Sequence, residues 1–401
     1  MVIRLNKKRI CIAFFCMIYG FNAINLILNY VLTMFIGQNS IDTMFQIGMM
    51  LLITVYMFKY GVSRIDFIRG ASFIGLVLLL FIASSKIFPN TAIYVNSNLQ
   101  KVAFCLLMSI PIFFIHELDW IMTGLKIVGW LELIMSVLLG FVANGMLSIE
   151  NAEVGYMVYG YKVLPSAIIL AYFYFREGNR VYGIGAMIAS LFILMFGSRG
   201  AIVGVIISVI VFMLVVDKGK SKKKWGIFAA VAGVAILIKN TSFLVWFFKT
   251  MGNVFHFESR TLLKLLDGTA DNDSGRSLLI GMARELLQGR WFWGYGLFGD
   301  RANLHLTAYK AVYADWFGEG FYVHNNFYEV LLDFGIIPGI LLIVFLLYSI
   351  LRAIINNDDN TKGVILICSC IAICSTIFSG SYLVNAYTYA MVSTLYVYKR
   401  R

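Results

Sequence analysis

Charged residues are scarce in this chain. Only 13% of its 401 residues are Asp, Glu, Lys or Arg, whereas 60% are hydrophobic and the mean hydropathy is +0.82. Soluble domains carry about 25% charged residues, so the composition excludes an ordinary soluble protein. The apolar residues form runs of roughly twenty, the length that crosses about 30 Å of hydrocarbon as a helix. We therefore predict an all-α, polytopic helical membrane protein, because a helix satisfies its own backbone hydrogen bonds in lipid.

Several catalytic motifs are also missing. The chain has no glycine-rich phosphate loop ending in lysine, no HExxH and no clustered cysteine and histidine ligands, which argues against an ATPase and a zinc protease. Its six cysteines lie in apolar runs and indicate no disulfide framework. We expect no metal and no cofactor, so that any phosphate chemistry depends on arginine. The net charge of +12 does not indicate a nucleic-acid partner, since cytoplasmic loops explain most of it.

The apolar runs predict a topology with one long loop. About twelve spans are predicted, and they lie at 10–36, 41–58, 70–88, 99–115, 127–147, 162–175, 181–197, 201–216, 225–246, 325–351, 363–380 and 384–398. Basic residues concentrate in alternate loops and at both termini, which places both termini in the cytoplasm. We therefore predict N-terminal transmembrane helices at 1–246, an extracytoplasmic loop with short helices at 247–323 and C-terminal transmembrane helices at 324–401. Loops of this length are usually functional.

Arginines are the first candidate site residues. Arg199 lies in FGSRGAIVG, at an outer junction of two predicted spans, where the positive-inside rule disfavours it. It either marks a helix end or reaches a polar cavity, and we favour the cavity. The outer loop adds further arginines: Arg260, Arg276, Arg284, Arg290 and Arg301. Each could pair with a nearby carboxylate, but guanidinium groups match phosphate oxygens two at a time, so together they favour an anionic lipid headgroup.

The long loop is predicted to contain helical pieces. The stretch DSGRSLLIGMARELLQG has a plausible cap at Asp273 or Ser274 and ends at Gly289, with Arg276 and Arg284 pointing to a similar side. The aromatic run RWFWGYGLF that follows is typical of an interfacial anchor. Another predicted outer turn, NAEVGYMVYGYK, is rich in tyrosine; Tyr161 could stack on a sugar face, although an interfacial belt also explains such a turn.

The stretch HNNFYEVLLDFG places polar residues at the mouth of a predicted span. Imidazole has an unperturbed pKa of about 6.5, so His324 is suited to accept a proton from a sugar hydroxyl. On a helix, Asn325, Glu329 and Asp333 share one face, which should meet a cavity or a neighbouring helix rather than lipid. A lone histidine is more often structural, but this setting favours function. We assign Asn325 and Glu329 to substrate binding.

Three motifs taken in order resemble a known family. They are GSRGA at 197–201, SGRSLL followed by WFWGYGLFG at 274–299, and HNNFYEVLLDFGIIPG at 324–339. In this order, and with one long outer loop, they resemble the bacterial O-antigen and capsular polysaccharide polymerases and the related O-antigen ligases. The resemblance implies a bacterial cytoplasmic-membrane enzyme whose substrate is a glycan linked through pyrophosphate to a polyprenyl lipid. It further implies that a chain-length regulator and a flippase act beside it.

The resemblance also assigns roles. It implies that Arg199 contacts the pyrophosphate, that Arg276 assists it and that His324 activates the acceptor hydroxyl. The remaining predicted substrate-binding residues are Arg260, Arg284, Arg290, Asn325, Glu329 and Tyr161. Fixed cations help most where negative charge develops on the departing pyrophosphate. The predicted enzyme is thus a metal-independent glycosyltransferase.

Amino-acid composition favours a polymerase over a ligase. The chain is rich in Ile, Asn, Lys, Phe and Tyr, which indicates an AT-rich genome. Many hosts with such genomes have no lipid A acceptor. A flippase or other secondary transporter is the rival from a different class. Transporters usually place charged residues near the midplane and show two related halves, whereas these polar residues gather at one face. A purely structural scaffold would not need outer arginines.

Overall fold

The computed structural model describes residues 6–21, 39–142, 149–196, 198–216, 275–308, 321–377 and 380–398, with single positions between 242 and 253. The α-helices in this part are α1 Lys7–Tyr19, α2 Asn39–Tyr60, α3 Arg64–Ile87, α4 Ala92–Phe114, α5 Leu118–Val142, α6 Ile149–Glu177, α7 Arg180–Met195, α8 Arg199–Val215, α9 Arg276–Leu286, α10 Gly299–Asn303, α11 Asn326–Phe334, α12 Ile336–Asn356, α13 Asp359–Thr376 and α14 Ala386–Tyr398. Short 3-10 helices lie at Pro89–Thr91, Leu304–Leu306 and Tyr382–Val384. The described residues form no strand, which confirms the all-α prediction for this part of the chain.

Four described segments are long and apolar enough to cross a membrane. They are Arg64–Ile87, Pro89–Phe114, Leu118–Leu138 and Ile336–Asn356. Shorter apolar helices lie at Gln46–Tyr60, Arg180–Met195 and Gly200–Val215. These helices support a helical membrane protein. The number of twelve spans stays a prediction, and the predicted span at 225–246 lies outside the described helices.

The chain divides into two compact units. The first unit comprises Met1–Ile18, Asp42–Met122 and Asp273–Arg401, and the second comprises Tyr19–Ile41 and Thr123–Asn272. The candidate residues His324, Arg276, Arg284 and Arg290 belong to the first unit, whereas Arg199 and Tyr161 belong to the second. The boundaries predicted at 246 and 323 stay predictions.

Glycines allow close helix packing in the second unit. A Cβ on Gly185 of α7 would lie 2.9 Å from the Trp130 ring of α5 and 3.0 Å from Leu170 of α6. A Cβ on Gly160 of α6 would lie 2.1 Å from Oγ of Ser198, the residue that precedes α8. Small residues at such contacts are typical of membrane helices, whose association depends on close van der Waals packing. The packing therefore brings α6 against the junction of α7 and α8.

The outer turn predicted at 151–162 is wrong, because helix α6 runs through it from Ile149 to Glu177. Gly155 and Gly160 lie inside this helix. A glycine in a helix interior costs about 1 kcal/mol relative to alanine but does not end the helix. Tyr161 therefore lies within α6, next to the glycine that meets Ser198.

The first unit has two chemically different ends. At the first, which we call the ion-paired end, Nζ of Lys7 lies 2.9 Å from Glu117 and Nε2 of His116 lies 2.8 Å from Asp66. Helix α3 runs from Arg64 at this end to Ile87 at the other, and α4 returns from Ala92 to Phe114. The opposite end, which we call the loop end, carries the described part of the long loop.

An apolar cluster joins the loop end to the helices beneath it. Its buried members come from α3, α4, the loop and the C-terminal segment: Phe81, Val95, Val102, Cys105, Leu106, Leu297, Phe298, Leu383 and Tyr389. The hydroxyl of Ser84, near the end of α3, accepts a 2.7 Å hydrogen bond from the backbone N–H of Leu297. The loop is thus packed into the first unit rather than lying free above it.

Candidate functional site

The helix predicted at 325–351 is broken at Gly335. Helix α11 ends at Phe334 and α12 begins at Ile336, while Gly335 between them has φ +94°. A break in a helix frees carbonyl groups on one side and N–H groups on the other. Unsatisfied backbone groups are costly near lipid. A span that begins at Ile336 instead of Asn325 places His324 and its neighbours on a separate short helix.

The loop segment 290–296 satisfies the groups that the break frees. The backbone N–H groups of Tyr295 and Gly296 donate to the carbonyl oxygens of Leu332 and Asp333, at 2.7 and 3.1 Å. In the other direction, the N–H groups of Ile336 and Ile337 donate to the carbonyls at positions 290 and 291, at 3.0 and 2.8 Å. The aromatic, glycine-rich run predicted as an interfacial anchor therefore also caps both sides of the broken helix.

Two glycines make this contact possible. A Cβ on Gly294 would lie 2.4 Å from the carbonyl oxygen of Leu332, and one on Gly335 would lie 2.8 Å from the backbone nitrogen of Trp293. The positive φ of Gly335 also favours glycine. Either glycine replaced by a larger residue would push two backbone segments apart.

His324 lies in a strained turn directly before α11. Its φ of +52° is a left-handed conformation that residues other than glycine adopt at a cost. Its ring packs on the rings of Phe321 and Tyr322, with centroid distances of 4.7 and 3.9 Å. Oδ1 of Asn325 accepts from the first backbone N–H groups of α11 and so caps that helix. The histidine is held between an aromatic pair and a capped helix.

Asp300 anchors the chain just before this histidine. Its carboxyl group is buried, and its two oxygens accept from the backbone N–H groups of Arg301 and Val323, at 2.8 and 3.0 Å. Because Val323 directly precedes His324, Asp300 fixes the start of the strained turn. Buried N–H groups are costly to leave unpaired. Asp300 is therefore a positioning residue for His324.

Glu329 and Asp333 fasten α11 to the turn between α13 and α14. Glu329 accepts from the hydroxyl of Ser381 and, at 3.3 Å, from the backbone N–H of Tyr382. Asp333 accepts from the hydroxyl of Tyr382 at 2.6 Å and from the backbone N–H of Gly299 at 3.0 Å. The predicted shared face of these two carboxyls is confirmed, and it meets neighbouring protein segments.

Burial raises the pKa of all three carboxyl groups above their ordinary values. For Glu329, burial acts first and the charges of Asp300 and Asp333 add to it. For Asp333, burial and the charge of Asp300 raise the pKa, while the Tyr382 hydroxyl opposes the shift. Like charges close together disfavour simultaneous ionisation. The cluster therefore retains protons at a pH where exposed carboxyls have lost them.

Arg301 is the cation inside this cluster. Its side chain is 8% exposed, and the guanidinium carbon lies 4.6 Å from the ring centroid of Phe298 and 5.3 Å from that of Tyr322. Among the described residues, no ion pair within 4.0 Å involves Arg301, and its Nε has no hydrogen-bond partner. The ring of Tyr322 thus lies near both the guanidinium and the His324 ring, whose centroid is 3.9 Å away.

The predicted helix with two loop arginines is confirmed, although its ends differ. Gly275 caps α9 with φ +80°, so the cap predicted at Asp273 or Ser274 is wrong, and the helix ends at Leu286. The residue before this helix has a left-handed backbone conformation, which glycine adopts without the steric cost of a Cβ. Arg276 is half-buried in the first turn of α9.

Helix α9 packs on α11, the helix that follows His324. Their shared apolar cluster consists of Leu279, Met282, Ala283, Leu287, Leu304, Val323, Leu331 and Leu332. Nε of Arg284 donates to the hydroxyl of Tyr328 at 2.9 Å. Arg290 is exposed, with its guanidinium 4.4 Å from the ring centroid of Tyr295. The first unit therefore places Arg284 against α11, the helix that follows His324, and Arg290 against Tyr295.

Exposed aromatic residues lie beside Arg290. Trp291, Phe292 and Trp293 are 57%, 65% and 77% exposed. Tryptophan and arginine together suit the headgroup depth of a bilayer. This placement supports the predicted interfacial anchor, although membrane depth itself stays a prediction.

The other predicted site residues belong to the second unit or lie outside the described part. Arg199 begins α8 after the buried cap residue Ser198, but its side chain lies outside the described residues. Arg260 lies outside them altogether. The contact of Gly160 with Ser198 brings the backbones next to Tyr161 and Arg199 together in the second unit.

One sequence feature outside the described residues could bind a metal, although we predict a metal-free reaction. Asp271 and Asp273 form an Asp-x-Asp sequence, a pair of carboxylates that could bind a divalent cation, and both lie outside the described residues. Among the described residues, no group of three or more His, Cys, Asp or Glu side chains could hold a metal. Metal independence therefore stays a prediction.

Part of the site was not predicted from the sequence. Arg301 was predicted only as one of the loop arginines, and Asp300, Tyr322 and Tyr382 were not predicted. Asp300 and Arg301 are adjacent opposite charges after an aromatic, glycine-rich run, which is a signal of buried charge in so apolar a chain. Tyr322 and Tyr382 lie far from Asp300 along the chain, and only the fold brings them near it.

Comparison with known proteins supports the motif assignment. A search of curated proteins finds no match. A family model described as O-antigen ligase matches residues 184–344, which is less than half of the 401-residue chain. The matched region contains Arg199, α9, the buried carboxyl cluster and the whole of α11. Residues 184–344 are thus similar to the O-antigen ligase family that the motifs indicated.

Proposed function

We propose that this protein is a polysaccharide polymerase. It transfers a glycan from a polyprenyl-pyrophosphate carrier to a lipid-linked repeat unit at the outer face of the cytoplasmic membrane. The observation that carries the proposal is the turn at His324 within the region that matches O-antigen ligase. Buried Asp300 holds this turn through Val323, and Arg284 contacts Tyr328 on the helix that follows it. The family match supports a glycan-transferring membrane enzyme. The polymerase activity and the polyprenyl-pyrophosphate carrier are our proposal.

The proposed reaction exchanges one glycosidic bond. The acceptor hydroxyl attacks the anomeric carbon of the donor glycan, and His324 takes the hydroxyl proton. The bond from the anomeric carbon to the phosphate oxygen breaks, and the lipid pyrophosphate leaves with that electron pair. Arg199 and Arg276 are assigned to the pyrophosphate, because fixed cations stabilise charge that develops in the transition state. Arg284 and Arg290 bind the surrounding lipid-linked glycan in this proposal.

Two features support the placement of the loop end outside the cell. Basic residues concentrate in loops and termini that alternate with the long loop. The loop end and the ion-paired end lie at opposite ends of α3 and α4. A lipid-linked substrate presented at the outer face would then meet the described loop directly.

Cysteine labelling tests this placement. Gln288→Cys lies on the exposed turn after α9, and Asp359→Cys lies at the start of α13 near the ion-paired end. A membrane-impermeant maleimide added to intact cells should label the first variant only. Labelling of Asp359→Cys alone would contradict an extracytoplasmic loop.

The match to the O-antigen ligase family model favours one alternative, an O-antigen ligase that moves the finished glycan to a different acceptor. Purified protein should be given polyprenyl-pyrophosphate repeat units in detergent without nucleotide, with and without a chelator of divalent cations. Products longer by whole repeat units, with the chelator present, support the metal-independent polymerase. Transfer only to an added lipid A acceptor supports the ligase, and movement across a bilayer without a new bond supports a transporter.

A further inference from the structure

Arg301 occupies an unusual position for a charged residue. The side chain is 92% buried, packed against the rings of Phe298 and Tyr322, yet its Nε has no hydrogen-bond partner among the described residues. Buried polar atoms in folded proteins are nearly always hydrogen-bonded, so an exception needs an explanation. One explanation is a ligand that completes the site.

The neighbouring carboxyl groups do not complete it. Asp300 accepts from backbone N–H groups, Glu329 from Ser381 and Tyr382, and Asp333 from Tyr382 and Gly299. None of them forms an ion pair with Arg301 within 4.0 Å among the described residues. Their charges favour a cation at this place, but their oxygens already have other donors. The forked edge of the guanidinium includes Nε, and Nε therefore has no partner among the described residues.

An oxyanion fits this edge. Guanidinium binds carboxylate and phosphate oxygens two at a time through parallel N–H groups, and Nε takes part in one such fork. Burial raises the pKa of each of the three carboxyl groups, which lessens their repulsion of an oxyanion. The Tyr322 ring contacts both the guanidinium and the His324 imidazole, so a substrate at the histidine lies one ring away.

We propose that Arg301 is a further substrate-binding residue, which holds an oxyanion of the lipid-linked glycan beside His324. This inference rests on the proposed function. Two sources offer the same chemistry: the pyrophosphate of the carrier and an acidic substituent, such as a uronate carboxylate, on a sugar. In either case the arginine fixes the substrate relative to the histidine and adds a contact that the family motifs do not assign.

A counter-ion role is the competing explanation, and Arg301→Lys separates the two. Lysine keeps the positive charge among the carboxyl groups but lacks the planar fork. If Arg301 only balances charge, the variant should bind ligands like the wild type. If Arg301 holds an oxyanion through its fork, the variant should remain folded and lose affinity. Arg352→Lys, the same change near the far end of α12, is the matched control.

The experiment measures equilibrium binding to the purified full chain in detergent. The probes are farnesyl pyrophosphate for the carrier and methyl glucuronide for an acidic sugar, with methyl glucoside as a neutral reference. Charge-assisted hydrogen bonds are worth enough that Arg301→Lys should weaken one probe roughly ten- to a hundredfold. Thermal unfolding midpoints of wild type and both variants show whether they fold alike.

Each outcome decides the matter. Weaker farnesyl pyrophosphate binding in Arg301→Lys alone assigns the residue to the carrier, and weaker methyl glucuronide binding assigns it to an acidic sugar. Equal binding by wild type and Arg301→Lys, or no binding of either probe by wild type, overturns the inference. If the wild type extends glycans while Arg301→Lys binds normally, only this inference fails. If Arg301→Lys loses binding but the wild type extends no glycan, only the proposed function fails.

Discussion

The two ends of the first unit treat carboxyl groups in opposite ways. At the ion-paired end, Glu117 and Asp66 lie within 2.9 Å of basic groups on Lys7 and His116; Asp66 is buried, but the other three side chains are partly exposed. At the loop end, Asp300, Glu329 and Asp333 are buried and accept from hydroxyl and backbone N–H groups instead. Exposed ion pairs contribute little, whereas a buried polar network is costly to leave incomplete. The loop end therefore concentrates groups whose presence is better explained by substrate than by stability.

The largest expected difference is between Arg199, which we assign to the substrate, and an arginine at the ion-paired end. Arg199→Ala should abolish glycan extension, and Arg199→Lys should also be poor because a point charge cannot reproduce a forked contact. Arg69→Lys, at the ion-paired end, should extend glycans normally. Product lengths from equal amounts of membrane-inserted protein measure both. Normal extension by Arg199→Ala would remove this residue from the proposed mechanism.

The next effect concerns the backbone contact at the helix break. Gly335→Ala should lower the free energy of unfolding by about 2–4 kcal/mol, because alanine is strained at φ +94° and its Cβ meets the backbone of Trp293. Gly281→Ala on α9 is the control, since a Cβ there meets nothing within 4 Å. That change should be neutral or stabilising by up to about 1 kcal/mol. Thermal unfolding in detergent compares them, and equal midpoints would contradict the proposed packing of the loop on the break.

A smaller effect is the response of the loop end to pH. Burial holds the pKa of Glu329 well above its ordinary value, so the folded state binds this proton more tightly than the unfolded state. The corresponding stabilisation is complete below the ordinary pKa and is lost as the pH rises through the raised pKa. Glu329→Gln should therefore reduce the loss of thermal stability on the alkaline side. An unchanged alkaline profile would show that Glu329 titrates normally.

The ion-paired end should respond in the opposite direction. Burial alone would raise the pKa of Glu117, but hydrogen bonds from Lys7 and from backbone N–H groups lower it below its ordinary value. This stabilisation is present above the ordinary pKa and is lost as the pH falls through the lowered pKa. Glu117→Gln should thus affect only the acid side of the same profile.

The smallest effect is expected from the exposed ion pair itself. Lys7→Met should change the free energy of unfolding by less than about 1 kcal/mol, since the side chains of Lys7 and Glu117 are 40% and 34% exposed. The effect should shrink further at high salt. Chemical denaturation at low and high ionic strength measures it. A loss as large as that of Gly335→Ala would show that the two ends do not differ as described.

Local patterns predicted much of this architecture. Apolar length predicted the helices of the described part, and four-residue spacing predicted the shared face of Glu329 and Asp333. Helical spacing also placed Arg276 and Arg284 on one helix. These features depend on residues a few positions apart, so a sequence pattern contains the information needed to find them.

Features that depend on distant segments were not predicted. The break at Gly335 is stabilised by the loop at 290–296, some forty residues earlier, and a continuous apolar run gave no sign of that partner. The link from Asp300 to Val323 and the stacking of His324 on Tyr322 likewise arise only after the loop folds back. The turn predicted at Tyr161 was wrong, because helix α6 runs from Ile149 to Glu177 through these residues.

The most direct measurement is glycan extension by a variant that keeps the turn but removes the imidazole. Asparagine tolerates the left-handed conformation of His324 and cannot serve as a general base near neutral pH, so His324→Asn isolates the chemistry from the fold. His305→Asn, in the 3-10 helix at Leu304–Leu306, is the control. We expect no extension by His324→Asn and normal extension by His305→Asn, at equal thermal stability. Repeat units polymerised at the wild-type rate by His324→Asn would contradict the account.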